Sequence, residues 1–241
     1  MTAFSSYNNF NIIYWITQLV GLAVVIMTGC WVGVHQGGVA WNEQPSIQFN
    51  WHSLLMTIGL IYLYGTSILV YRGFRHVRKQ PLKITHAIIH AVAFVCTVIA
   101  LVAVFESKDY AANPRPHMYS LHSWLGMAAV VLFGLQYVVG FVAYLFPGVR
   151  VSLRSTLMPT HIFFGVLGFV LSIIAALTGF MAKAIFAVPD YSSLTPEAVL
   201  VNMISLLMTI YGGLVVFLVT ESGYKREALP EDAIQVTRNH S

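Results

Sequence analysis

Charge is what this chain has least of. Only 9% of its 241 residues are Asp, Glu, Lys or Arg, against about 25% in a soluble globular domain. The hydrophobic share is 57% and mean hydropathy is +0.73. Length alone would suggest one or two soluble domains, but this composition excludes them and defines an all-α integral membrane protein. Cysteine is equally scarce. Cys30 and Cys96 are the only two, which excludes a disulfide framework, a zinc site built on cysteines and a c-type haem attachment motif. Both read as small buried apolar side chains. No basic stretch precedes the first apolar segment, which is too long for a signal-peptide core, so no cleaved leader is expected. Low-complexity sequence, lipidation motifs and ER-retention motifs are absent. Carboxylates are missing from the apolar segments: all nine Asp and Glu fall in expected loops or tail. That argues against a channel or proton-coupled transporter, which places carboxylates near the membrane midplane.

Six segments are long and apolar enough to span as helices, for which about 20 residues suffice. They run over about 12–34, 49–71, 84–105, 120–146, 159–181 and 198–220. Helix is the only reading, because lipid leaves no partner for an unpaired backbone group and the runs far exceed barrel strands of about ten residues. The expected unit is one six-helix domain over 1–241, with a short tail at 1–11 and a polar tail at 221–241. The net charge of +4 reflects topology and gives no reason to expect nucleic acid. Arg72, Arg75, Arg78, Lys79, Lys83, Arg150, Arg154, Lys225, Arg226 and Arg238 are ten of the thirteen cations and share one side. The positive-inside rule makes that side cytosolic, with both termini. The sequon at Asn239 then lies in the cytosol and goes unused.

Four histidines each open a different apolar segment: His52 the second, His86 the third, His122 the fourth and His161 the fifth. An ionisable side chain at that depth is costly and marks a functional site by default. In an antiparallel bundle His52 and His122 share the outer depth, and His86 and His161 the cytosolic depth. The two depths differ by roughly 20 Å within about 30 Å of hydrocarbon. Bundles build cofactor sites from facing helices, and neutral imidazole is a common metal ligand. Structural zinc takes four ligands, more than either depth offers. Haem iron held by two axial histidines suits the pattern, and such iron transfers single electrons without binding substrate at the metal. His90 lies four residues after His86 on the same helix face, and either of them can serve as a ligand on this ground alone. His35, His76, His117 and His240 fall in loops or tail, where solvation accounts for them; His117 sits close to the outer pair.

Phe49-Asn50-Trp51-His52, Val70-Tyr71-Arg72, Tyr119-Ser120-Leu121-His122-Ser123-Trp124, Leu135-Gln136-Tyr137-Val138-Val139-Gly140-Phe141, Ser152-Leu153-Arg154 and Met158-Pro159-Thr160-His161 closely resemble the cytochrome b561 family. That resemblance spans about 11–220. It implies an ascorbate-dependent transmembrane oxidoreductase, often a homodimer, with a haem-binding core of helices 2–5 flanked by helices 1 and 6. It further implies two non-covalent b-type haems, one on His52 and His122 and one on His86 and His161, and favours His86 over His90. It places cytosolic ascorbate beside Lys79, Lys83 and Arg154. Those cations suit a monoanion, Arg through its fork of donors and Lys as a point charge. On the outer side the chain departs from the family pattern. Glu106-Ser107-Lys108-Asp109 stands where a histidine is common, and His117 where asparagine is common. Lys108, Arg115 and His117 are the candidates there for attracting an anionic acceptor.

The expected function is electron transfer from cytosolic ascorbate to monodehydroascorbate or a ferric chelate across the bilayer. The choice of membrane, whether endomembrane, vesicle or plasma membrane, is not written in the chain. Two rivals stand beside this reading. A quinol-oxidising cytochrome subunit would need a lipid-accessible pocket and a docking surface, and these loops are short for the latter. A non-redox membrane protein would pair the histidines with one another and be colourless.

Overall fold

The computed structural model describes residues 3–41, 44–146 and 149–226. Arg238, His240 and the sequon at Asn239 lie outside the described residues. Six helices are long and apolar enough to cross a membrane: α1 Asn9–His35, α2 Pro45–Gly73, α3 Lys79–Asp109, α4 Leu121–Leu145, α5 Val151–Ala187 and α6 Pro196–Thr220. The described residues contain no strand. The protein is an all-α, multi-pass integral membrane protein.

Several boundaries differ from the hydropathy reading, for one physical reason. Helices continue past the hydrocarbon as polar or cationic turns, which apolar counting does not register. The chain is already helical at Ala3, inside the segment read as a tail. Helix α3 begins at Lys79, so Lys79 and Lys83 occupy its first turns instead of a loop. Helix α5 begins at Val151 and runs through Pro159, where the apolar segment is expected to start. Neighbouring packing tolerates such a proline inside a membrane helix. Glu106 and Asp109 ride on the last turns of α3, and Glu197 on the first turn of α6. Cys30 is exposed on α1 and not buried.

Two antiparallel hairpins, α2 with α3 and α4 with α5, form the centre of the bundle. Helices α1 and α6 pair with each other and pack along α2 and α5. Close approach is achieved where side chains vanish. A Cβ on Gly59 would stand 3.0 Å from the Ala93 carbonyl oxygen and from the Cys96 Cβ, so α2 lies directly on α3 there. The Tyr211 ring of α6 fills the space beside Gly21 and Gly65, and its hydroxyl donates to the Tyr62 carbonyl at 3.0 Å. At mid-depth Tyr64 donates to the Gly165 carbonyl at 2.8 Å. Its ring packs on Phe133 and Phe169 at 4.9 and 5.7 Å between centroids. This aromatic cluster packs against His90. Within α2, Thr57–Leu63 winds as a wider π-helix, a distortion that re-aims side chains and recurs at functional sites.

At the end of the bundle that carries most of the cations, Arg72 closes the last turn of α6. Its two terminal nitrogens donate to the Glu221 and Val219 carbonyls, both at 2.6 Å, satisfying groups a helix end leaves open. Hydrogen bonds to a charged group contribute about 1.5–3 kcal/mol each. Arg72→Met is therefore expected to lower the thermal midpoint in detergent while leaving cofactor content unchanged. A loss of cofactor instead would give Arg72 a role in the site.

Candidate functional site with paired histidines at each end

At the end of the bundle that holds His52, the outer end under the topology expected from the cations, α4 is started by its own sequence. Ser120 caps the helix: its Oγ accepts from the Ser123 N–H at 3.3 Å, and the Ser123 Oγ accepts from the Ser120 N–H at 3.1 Å. This reciprocal box fixes His122 as the second helical residue. Its ring meets that of His52 from α2, with centroids 6.0 Å apart and planes at 86°. Both Nδ1 atoms face backbone carbonyls, Ala100 at 3.3 Å for His52 and Ala175 at 2.7 Å for His122. A carbonyl only accepts, so each Nδ1 carries the proton and each Nε2 keeps a lone pair. The two rings line a cavity of about 1200 Å³, above the 300–1,000 Å³ usual for small-molecule sites.

The inner end repeats this arrangement in part. His86 Nδ1 donates to the Ser67 carbonyl at 2.9 Å, while Ser67 Oγ donates back to the His86 carbonyl at 2.9 Å. His161, on α5, packs against Gly140 of α4, where a Cβ would stand 3.1 Å from its Cε1. It lies close enough to His86 and His90 for each to act electrostatically on its neighbours. The His161 Nδ1 is buried without a hydrogen-bond partner among the described residues. His90 is buried, its ring 4.4 Å from that of His86 and edged by Tyr64 and Phe133. Fifteen residues separate His52 from Ser67, roughly 22 Å along α2 at about 1.5 Å per residue.

The cations of this end converge beside His161. Lys83 Nζ donates to the Tyr144 carbonyl at 3.0 Å, and the Tyr144 ring lies 5.3 Å from that of His161. The charges of Arg154 and Lys79 act on Lys83. Arg154 Nε is buried with no hydrogen-bond partner among the described residues. At the outer mouth, Lys108, Arg115 and His117 all line the cavity of the outer pair. His117 is not simply solvated: its Nε2 bonds Asp109 Oδ1 at 2.7 Å and its ring lies 4.9 Å from Phe105.

Sequence reasoning missed four residues here. Gly179 of α5 lies under His122, where a Cβ would meet the imidazole at 2.7–2.8 Å. Ser67 cradles His86, and Tyr144 ties Lys83 to the His161 ring. Lys183 joins the outer cavity and was visible in the sequence only as one of three cations on the outer side. Among the described residues no group of three or more His, Cys, Asp or Glu could hold a metal unaided. Two imidazoles suit a metal whose remaining ligands a cofactor supplies.

The fold and site together define a multi-pass membrane bundle whose central four helices gather histidines at both ends. The chain belongs to the eukaryotic cytochrome b561 family, whose model matches residues 51–187. It is 44% identical over 220 residues to the transmembrane ascorbate-dependent reductase CYB561 of Homo sapiens, covering 90% of this chain and 85% of that protein. It is 42% identical over 224 residues to the plasma membrane ascorbate-dependent reductase CYBRD1 of Xenopus tropicalis, covering 91% and 78%. A putative homologue of CYB561 from Caenorhabditis elegans is 35% identical over 243 residues, covering 96% and 91%.

Proposed function

We propose that the protein is an ascorbate-dependent oxidoreductase that moves electrons across a membrane. The donor is cytosolic ascorbate and the acceptor is monodehydroascorbate or ferric iron on the other side, with both termini cytosolic and the chain working as a homodimer. His52 and His122 hold an outer b-type haem, and His86 and His161 an inner one; when bound, these groups supply one-electron chemistry at each face.

The observation that carries this reading is the outer imidazole pair. A metal–imidazole bond of about 2.0–2.1 Å, plus roughly 1.1 Å from nitrogen to ring centre, separates two axial rings by about 6.3 Å. The observed separation is 6.0 Å. Carbonyl bonds to Nδ1 leave the Nε2 lone pair free, the usual support of a ligating histidine. At the cytosolic face Lys79, Lys83 and Arg154 bind the ascorbate monoanion beside His161. The unpartnered Nε of Arg154 offers a donor to it, and the proton that ascorbate loses goes to solvent.

The test is the absorption spectrum of purified protein before and after ascorbate. A reduced b-type spectrum with about two haems per chain is the expected result. A haem spectrum that ascorbate leaves oxidised would favour the quinol-oxidising alternative, and a colourless protein would return the four histidines to helix packing.

A further inference from the structure

The outer face carries few cations, and they gather in one place. Lys108 comes from the end of α3, Arg115 from the following loop and Lys183 from α5, yet all three line the cavity that holds His52 and His122. Arg115 acts electrostatically on both lysines. No carboxylate lies within ion-pair distance of any of the three among the described residues. Lys108 Nζ sits 5.7 Å over the Tyr119 ring, and Lys183 Nζ sits 4.7 Å over the Phe49 ring. Aromatic faces hold a cation without neutralising it. The nearby Glu197 acts on Lys183 less strongly than Arg115 does, and its hydrogen bonds lie elsewhere. Its Oε1 accepts from Trp31 Nε1 at 2.8 Å and from Gln36 Nε2 at 2.7 Å, tying α1 to α6. Topology does not explain this cluster, because the positive-inside rule would place such charges on the opposite face. Three like charges held apart from carboxylates at the mouth of a low-dielectric cavity focus the field on an incoming anion.

We propose that Lys183, together with Lys108 and Arg115, selects an anionic electron acceptor at the outer cavity, one that presents carboxylate or enolate oxygens. This inference rests on the outer half of the proposed function and adds Lys183 as a specificity-determining residue. Carboxylates of a bound cofactor share that chemistry, and the experiment separates the two sources.

The experiment uses full-length haem-loaded protein in liposomes with ascorbate on the cytosolic side. Rates are measured for ferric citrate, an anion, and for hexaammineruthenium(III), a cation. Lys183→Gln is expected to lower kcat/KM for ferric citrate about 3- to 10-fold at low salt. The loss should fade as ionic strength screens the field, while the ruthenium rate should rise, because one repelling charge is gone. Lys183→Arg should restore the citrate rate. Separately, gallium citrate, which accepts no electron, should protect Lys183 of the unmodified protein from amine acylation, read by mass spectrometry. An equal loss with both acceptors, accompanied by a shifted haem potential, would assign the cations to cofactor carboxylates and overturn the proposal. Unchanged rates without protection would overturn it too. The protection measurement needs no turnover, so a protein that ascorbate fails to reduce would sink the redox reading and still report on the anion site.

Discussion

Alanine at Gly179 is expected to leave a protein with one haem per chain instead of two. The new Cβ would stand 2.8 Å from Nδ1 and 2.7 Å from Cε1 of His122, closer than packed atoms approach. The ring has no easy escape, because its Nδ1 is held at 2.7 Å by the Ala175 carbonyl, one turn earlier on the same helix. His122 is thus clamped between two points of the α5 backbone, and a methyl group must either break that hydrogen bond or push α4 away from α5. Either change moves the His122 ring out of its present position against His52. Gly140→Ala is the control. Its Cβ would come within 3.1 Å of His161 Cε1, a mild overlap against a ring whose Nδ1 is not tethered, so that variant should keep both haems. The measurement is haem per chain on protein that elutes as a single species, with the ascorbate-reduced spectrum of what remains. Two haems in the Gly179 variant would show that the clamp on His122 does not position a ligand.

This contrast also marks where sequence reading stops. Six helices were legible because lipid forces every apolar run of this length into one form. The histidine pairing was legible because antiparallel topology fixes depth, and the Ser120–Ser123 box fixes His122 within its first turn. Which glycine of 18 matters to His122 was not legible, since the clash lies across 57 residues and depends on how α4 and α5 are rotated. Lys183 escaped for the same reason: its charge was countable, but the face of α5 it occupies was not. Ser67 and Ala175 act through carbonyls that every residue possesses, so no side-chain signal points to them. Lys79 and Lys83 were placed in a loop although they lie in the first turns of α3, because hydropathy reports where the hydrocarbon ends and not where the helix does.

The inner site offers a sharper choice, between two histidines one turn apart. His86→Leu is expected to remove the inner haem and leave one per chain, whereas His90→Phe is expected to keep two. Depth and helix face do not separate these residues; hydrogen bonding within α3 does, whereas His161, whose Nδ1 is also unpartnered, has no rival histidine on α5. The Nδ1 of His86 donates to the Ser67 carbonyl at 2.9 Å, which fixes the tautomer, orients the ring and leaves the Nε2 lone pair available. Loss of such a partner typically costs a ligating histidine about 10- to 100-fold in metal affinity. His90 has no equivalent. Its Nδ1 is buried without a partner among the described residues, and its ring is boxed by Tyr64 at 5.2 Å and Phe133 at 5.4 Å. Phenylalanine fills that aromatic box with similar volume and removes an unsatisfied polar atom, so it should not destabilise the core. The reciprocal pattern, with haem lost from His90→Phe and kept in His86→Leu, would move the axial bond one turn deeper and leave the Ser67 cradle as helix packing. Haem content alone distinguishes the two outcomes, and it does so before any electron has been transferred.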